Sequence, residues 1–250
     1  MLLITMSLSF FTTFIEGKKS RMYVIAKREF FSLFKSIKSI IVIAILFFTS
    51  FYSAKYSEFL MSGIELSSYE QANIHSSGLQ ILILLFGMLF VTGLSHDTIN
   101  RETHERTIRF LVTRTSKSSI VAGKFFGIWL FWTVCLVVSF LLVSIFSQGI
   151  SHLIFGQTLS LLTYQIALAV LVSTIISRPS FTMFLGVIVG IAFPIIGIWL
   201  VFGSDSWFSS IKFVMPYYYL LNDDFTYLLI LLLAAALIGI ATQLFKRREC

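Results

Sequence analysis

The chain has 250 residues, of which 57% are hydrophobic, 16% aromatic and only 12% charged. Soluble domains are about 25% charged, so a water-soluble fold of this size could not cover its surface with the charge available here. A mean hydropathy of +0.89 makes lipid the solvent for much of the chain. The net charge of +7 would admit nucleic acid only if the basic residues formed one solvated patch, and their placement shows otherwise.

Residues 1–21 hold a short apolar patch, Leu8–Ile15, followed by Lys18, Lys19 and Arg21. A secretory signal carries its positive charges in front of the apolar region, so this stretch is expected to be a poorly ordered N-terminal extension. Residues 22–250 then form a single six-helix transmembrane domain of the all-α class. Six segments have the length that crosses a bilayer core: Ile37–Ala54, Gly78–Ser95, Phe125–Phe146, Leu153–Ser177, Phe181–Phe202 and Phe225–Phe245. Lys38 snorkels at the start of the first. Pro179 separates the fourth from the fifth, because the pair would otherwise make one helix far too long for a membrane.

Lysine and arginine orient the spans. With the N-terminus in the cytosol, 17 basic residues fall inside and only Lys55 and Lys212 outside. Both termini are therefore expected in the cytosol, and the positive charge is topological. The outer segment Lys55–Ser77 is polar and acidic. The other outer segment of any size, Gly203–Asp224, carries Trp207 and the run Pro216-Tyr217-Tyr218-Tyr219, residues that favour the membrane interface; they form an aromatic belt or an outer gate.

The spans hold no aspartate, glutamate, lysine or arginine away from their ends. Proton relays, ion wells and voltage sensors place such groups at membrane depth, so an ion-coupled carrier is disfavoured. An intramembrane enzyme is disfavoured as well, for want of paired carboxylates or a nucleophile and base. Cys135 and Cys250 lie too far apart in sequence and environment to suggest a disulfide or metal framework, and the four histidines are scattered. No Gly-x-x-x-x-Gly-Lys-Ser/Thr loop exists to cradle ATP phosphates. The mild polar groups at depth, among them Thr163, Gln165, Ser173 and Thr174, are expected to bond helix to helix. Gly186 and Gly190 form a Gly-x-x-x-Gly, followed by Pro194 and Gly197. This motif serves either packing within the chain or a dimer contact.

The stretch His96–Lys124 concentrates mixed charge around Ile99, Ile108, Leu111 and Val112. It reads as an interfacial helix, a turn near Thr115-Ser116, and a restart. Asp97, Ile99, Glu102, Thr107-Ile108, Leu111, Ile120 and Gly123-Lys124 fall on the pattern of the coupling region of type-2 ABC transporter permeases, which the chain resembles over nearly all of Met22–Cys250. An amphipathic segment before the first span (Tyr23–Lys38) and a basic tail agree with that layout, whereas Arg106 and Thr115 replace a common glycine and proline.

The resemblance implies a transport subunit of an exporter in the bacterial cell membrane, not an enzyme. It would pair as a homodimer with two copies of a cytosolic ABC ATPase, which would bind ATP and Mg; the chain itself would bind no cofactor or metal. The implied docking residues are Asp97, Glu102, Glu105, Arg106, Arg109 and Arg114 of the loop, with Lys27, Arg28 and Glu29 of an N-terminal elbow helix. Cargo in that family is mostly hydrophobic or amphipathic, and the uncharged, Phe-rich spans here suit a peptide or antibiotic. The alternative is a membrane immunity or sensor protein that binds a toxic peptide without moving it.

Overall fold

The computed structural model describes residues 21–60, 68–105, 107, 113, 115–147, 151–202, 207–221 and 225–247. In chain order they form α1 (Arg21–Phe34), α2 (Ile37–Lys55), the short α3 (Ser57–Leu60), α4 (Ser68–Ser95), α5 (Asn100–His104), α6 (Lys117–Val143), α7 (His152–Ile175) and α8 (Pro179–Phe202). A 3-10 segment (Trp207–Val214), α9 (Pro216–Leu220), a 3-10 turn (Phe225–Tyr227) and α10 (Leu228–Arg247) complete the chain. The described elements are all helical, and six of them are long and apolar enough to cross a membrane. The chain is a multi-pass membrane protein.

Of the expected extension, residues 1–21, all but Arg21 lie outside the described residues, and Arg21 is the first residue of α1. Two spans begin earlier than the apolar windows. The second starts at Ser68 rather than Gly78, and the third at Lys117 rather than Phe125. In both cases a polar helical run precedes the hydrophobic one, and at the third span a local cap sets the boundary. Ser116 is extended, and its Oγ accepts from the Ser119 N–H at 3.3 Å, satisfying one orphan donor of the first turn. Ser151 caps α7 in the same way through Ile154. At the other end of the first span, the Ser57 hydroxyl and the His75 ring both meet the Ala54 carbonyl, at 3.0 and 2.9 Å. They close the carboxyl end of α2 onto α4.

Helix α7 is the centre of the bundle. Two thirds of its most apolar window is buried (67%), against 22% in the first and last spans. It packs on α4, α6 and α10. Polar side chains mark its seams: Gln80 donates to Gln157 across α4 and α7 at 3.2 Å, and the Trp129 indole donates to Thr163 across α6 and α7 at 3.0 Å.

Helix α8 buries a narrow stripe, Thr182, Gly186, Gly190, Phe193, Pro194 and Gly197, against α4 and the segment that follows α8. A Cβ on Gly190 would sit 2.8 Å from the Leu89 Cα, and the Thr92 hydroxyl donates to the Gly186 carbonyl at 3.0 Å. The Gly-x-x-x-Gly therefore makes a contact within the chain, and α8 continues through Pro194. Its other faces, like those of α2 and α10, expose large apolar side chains. Such surfaces are expected where lipid is the solvent.

Gly190→Ala should lower stability by about 1–3 kcal/mol, because the added methyl meets backbone. Gly239, with open space around it, should tolerate alanine or gain up to about 1 kcal/mol. Equilibrium unfolding of both variants in mixed micelles checks the contrast.

Candidate functional site

One end of the bundle gathers α1, the end of α4, α5, the start of α6, the end of α7, the start of α8 and the end of α10. Helix α1 crosses α6 where two glycines let the backbones meet. A Cβ on Gly123 would lie 2.8 Å from the Met22 carbonyl, and one on Gly127 would lie 2.6 Å from the Ala26 carbonyl and 2.7 Å from the Glu29 Cβ. This close crossing hangs Glu29 over α6.

The chain leaves α4 through a tight turn in which the Thr98 hydroxyl donates to the Ser95 carbonyl at 2.6 Å. Ile99 is fully buried. The backbone N–H groups of Ile99 and Asn100 both donate to the Ser173 hydroxyl of α7, at 2.9 and 3.4 Å. The Asn100 side-chain amide donates to the Thr182 hydroxyl of α8 at 2.8 Å. Thus one asparagine and one serine clasp the α4–α5 connection to two spans, and the first turn of α5 delivers Glu102 inward.

Lys124 closes this junction. It lies on α6 one turn after the buried Ile120 and is 1% exposed. Its ammonium is 2.9 Å from Glu102 Oε1 and 3.6 Å from Glu29 Oε2, and it donates to the Thr98 carbonyl at 2.5 Å. Oxygens from α1, the α4–α5 turn and α5 thus surround one ammonium group, the Thr98 carbonyl as a hydrogen-bond acceptor and the two carboxylates as ion-pair partners. An unpaired charge at this depth would carry a desolvation penalty of several kcal/mol. The second oxygen of Glu102 is buried without a hydrogen-bond partner, so the cluster holds two carboxylates on one cation.

The candidate docking residues divide. Glu29 and Glu102 turn inward to Lys124, with side chains only 13% and 14% exposed. Lys27 and Arg28 are exposed on α1, and Glu105 is exposed just after α5. Asp97 is half-buried and takes Arg101 in an i,i+4 ion pair of 3.5 Å, worth little on its own at such exposure. Arg106, Arg109 and Arg114 lie outside the described residues, as does most of the expected helix beyond His104. Sequence reasoning overlooks Lys124 as a buried group and Gly123/Gly127 as a second Gly-x-x-x-Gly. The spacing of the glycines was a usable signal, whereas nothing local announces that Asn100 meets Thr182.

At the opposite end, Tyr217 is an anchor. Its hydroxyl donates to the Leu84 carbonyl of α4 at 3.0 Å, and its ring lies against Gly197, where a Cβ would overlap it. Burial raises its hydroxyl pKa, so it stays a donor at physiological pH. Tyr219 donates to the Phe213 carbonyl at 2.8 Å. The Lys212 ammonium sits 5.4 Å from the rings of both Phe213 and Tyr218. The Trp207 side chain lies outside the described residues. The tyrosine run is therefore fastened to the bundle by its hydroxyls and packing.

Among the described residues no group of three or more His, Cys, Asp or Glu side chains could hold a metal ion. No protein-family model matches the chain, and no curated protein matches it in sequence.

Lys124→Met should cost about 3 kcal/mol or more, because it leaves two largely buried carboxylates without their cation. In a double-mutant cycle with Glu102→Gln the two changes should be non-additive by about 1 kcal/mol or more. The cycle with the exposed Lys27→Met should be additive. Equilibrium unfolding in mixed micelles measures all three.

Proposed function

We propose that this chain is the transmembrane permease subunit of an ATP-driven exporter of the type-2 ABC class. Two copies would assemble in a bacterial cell membrane with two separate ATPase subunits that supply ATP and Mg chemistry. The cargo is an amphipathic peptide, an antibiotic or another hydrophobic compound. The observation that carries this reading is the Lys124 junction: one buried ammonium joins an amphipathic N-terminal helix and the loop between the second and third spans to the third span itself.

That arrangement suits a subunit moved from outside. A push on α5 or α1 reaches α6 through Glu102 or Glu29, and the Asn100 clasp passes it to α7 and α8. Charges engaged at the junction hold the lever to the spans. Lys27 and Arg28 stay exposed for a partner, where mixed charge gives orientation and specificity. The basic bias supports a cytosolic position for this end, where an ATPase would act. The chain has no phosphate loop of its own, and its spans carry no ionisable relay that would couple transport to an ion gradient.

Affinity purification of the full chain from its native membrane should bring down an ABC ATPase, and the complex in vesicles should move a labelled amphipathic peptide only with ATP. The triple reversal Lys27→Glu, Arg28→Glu, Arg109→Glu should release the ATPase and abolish ATP-dependent movement while helicity is retained. If the triple variant keeps both, the docking assignment falls. Transport that proceeds without any ATPase would sink the exporter reading altogether.

A further inference from the structure

Beside the junction, the end of α5 and the start of α8 enclose an open groove of about 700 Å³, whose walls include Arg101, His104, Glu105, Arg178, Phe181 and Phe184. Arg101 is engaged by Asp97. Arg178, His104 and Glu105 are exposed, and among the described residues their side chains have no hydrogen-bond or ion-pair partner. Among the described residues the groove therefore presents an unpaired cation just before α8 and an unpaired carboxylate just after α5, and its formal charge is balanced.

Its floor is apolar and continues into the surface of a span. Phe181 and Phe184 are 53% and 64% exposed, and Ile188, Ile191 and Ile195 follow at 48%, 53% and 63%. Spacings of three and four residues put all five on one helix face. At 1.5 Å per residue that face runs for about 20 Å along α8. A charged recess at the mouth of a span, opening onto a long apolar track, matches an amphiphile whose head stays at the interface while its tail lies in the hydrocarbon. The head should carry both signs: a purely anionic one would meet Glu105, and a purely cationic one would meet Arg178.

We propose that this groove is a binding site for a phospholipid whose headgroup carries a phosphate and a primary ammonium. The phosphate sits against Arg178, for which a guanidinium is well suited. The ammonium donates to Glu105, and an acyl chain follows Phe181, Phe184 and Ile188. This assignment stands on the membrane-spanning architecture and not on the transport reading. A protein partner seated in the same recess is the competing occupant. The unbroken apolar track below the charges favours lipid.

Native mass spectrometry of the full chain, exchanged in detergent against phosphatidylethanolamine, phosphatidylglycerol or phosphatidylcholine, tests it. Wild type should retain phosphatidylethanolamine most strongly. Arg178→Gln should weaken retention of phosphatidylethanolamine and phosphatidylglycerol alike by about tenfold, the worth of one charge-assisted contact, and Arg178→Lys should restore part of it. Glu105→Gln should erase the preference for phosphatidylethanolamine over phosphatidylglycerol while leaving phosphatidylglycerol bound. Equal retention of both lipids by wild type, or no change in Arg178→Gln, overturns the proposal. Displacement by inorganic phosphate with no effect of Phe184→Ser would assign the recess to a soluble phosphate instead. A photo-crosslinker at Ser180 should capture lipid in native membranes; capture of a protein in its place would assign the groove to a partner and defeat the lipid reading.

Discussion

The Lys124 ammonium is the contact on which the basic end of this protein depends. A cation 1% exposed is tolerable only if it is compensated by nearby oxygens, and these come from three separate stretches of chain. Glu29 requires α1 to cross α6 at the two glycines. Glu102 requires α5 to begin where it does, and the Thr98 carbonyl requires the turn out of α4. Each of these placements has its own local cause, yet all three must hold together for the charge to be satisfied. Replacing such a pair with apolar groups is often neutral for stability, whereas removing one member is costly. The arrangement therefore defines a geometry more than it adds free energy, which is what a part that transmits motion needs.

Around that junction the backbone is secured by hydroxyls and amides. Ser173 accepts two N–H groups from the α4–α5 connection, and Asn100 reaches on to Thr182. At the far end the hydroxyls of Tyr164 and Tyr219 take the Val214 and Phe213 carbonyls of the irregular segment after α8, and the Tyr217 hydroxyl ties that segment to the Leu84 carbonyl of α4. Polar groups are few in the chain, and many of them stand where backbone has left regular helix. That follows from the solvent: lipid offers no replacement partner for an unsatisfied carbonyl or amide.

The spans were legible because a run of about twenty apolar residues is sufficient evidence of a crossing helix. Their interfaces were only partly so. Gly186 and Gly190 announced a close approach, but not against which helix; the structure gives it to Leu89 and Thr92 of α4. Glu29 and Glu102 were recognisable as charged residues at the right end, yet sequence reads both as outward-facing. Whether a carboxylate faces solvent or a buried lysine is decided by a partner 22 or more positions away. Lys124 itself sits just before an apolar window and so resembles an ordinary flanking cation. Its helix began seven residues earlier at Lys117, because of a serine cap that hydropathy does not register.

Two of the contacts that α4 makes, with α7 and with α8, differ in kind. Against α7 it is keyed by polar groups. Gln80 bonds Gln157, and two turns further on Gln165 fills the space that Gly87 leaves, with its Oε1 only 2.6 Å from where a Cβ would be. Both polar atoms of that amide are buried without a partner, so sliding the seam by a turn would break the Gln80 bond and drive Gln165 into Ile83 or Val91 of α4. Against α8 the contact is glycine on backbone, with the Thr92–Gly186 bond as its polar tie at depth. Small residues there let the two backbones approach closely, so packing carries most of that contact. The polar seam therefore keys α4 to α7 in one register, whereas the glycine stripe holds α8 by close backbone packing and a single polar tie at depth.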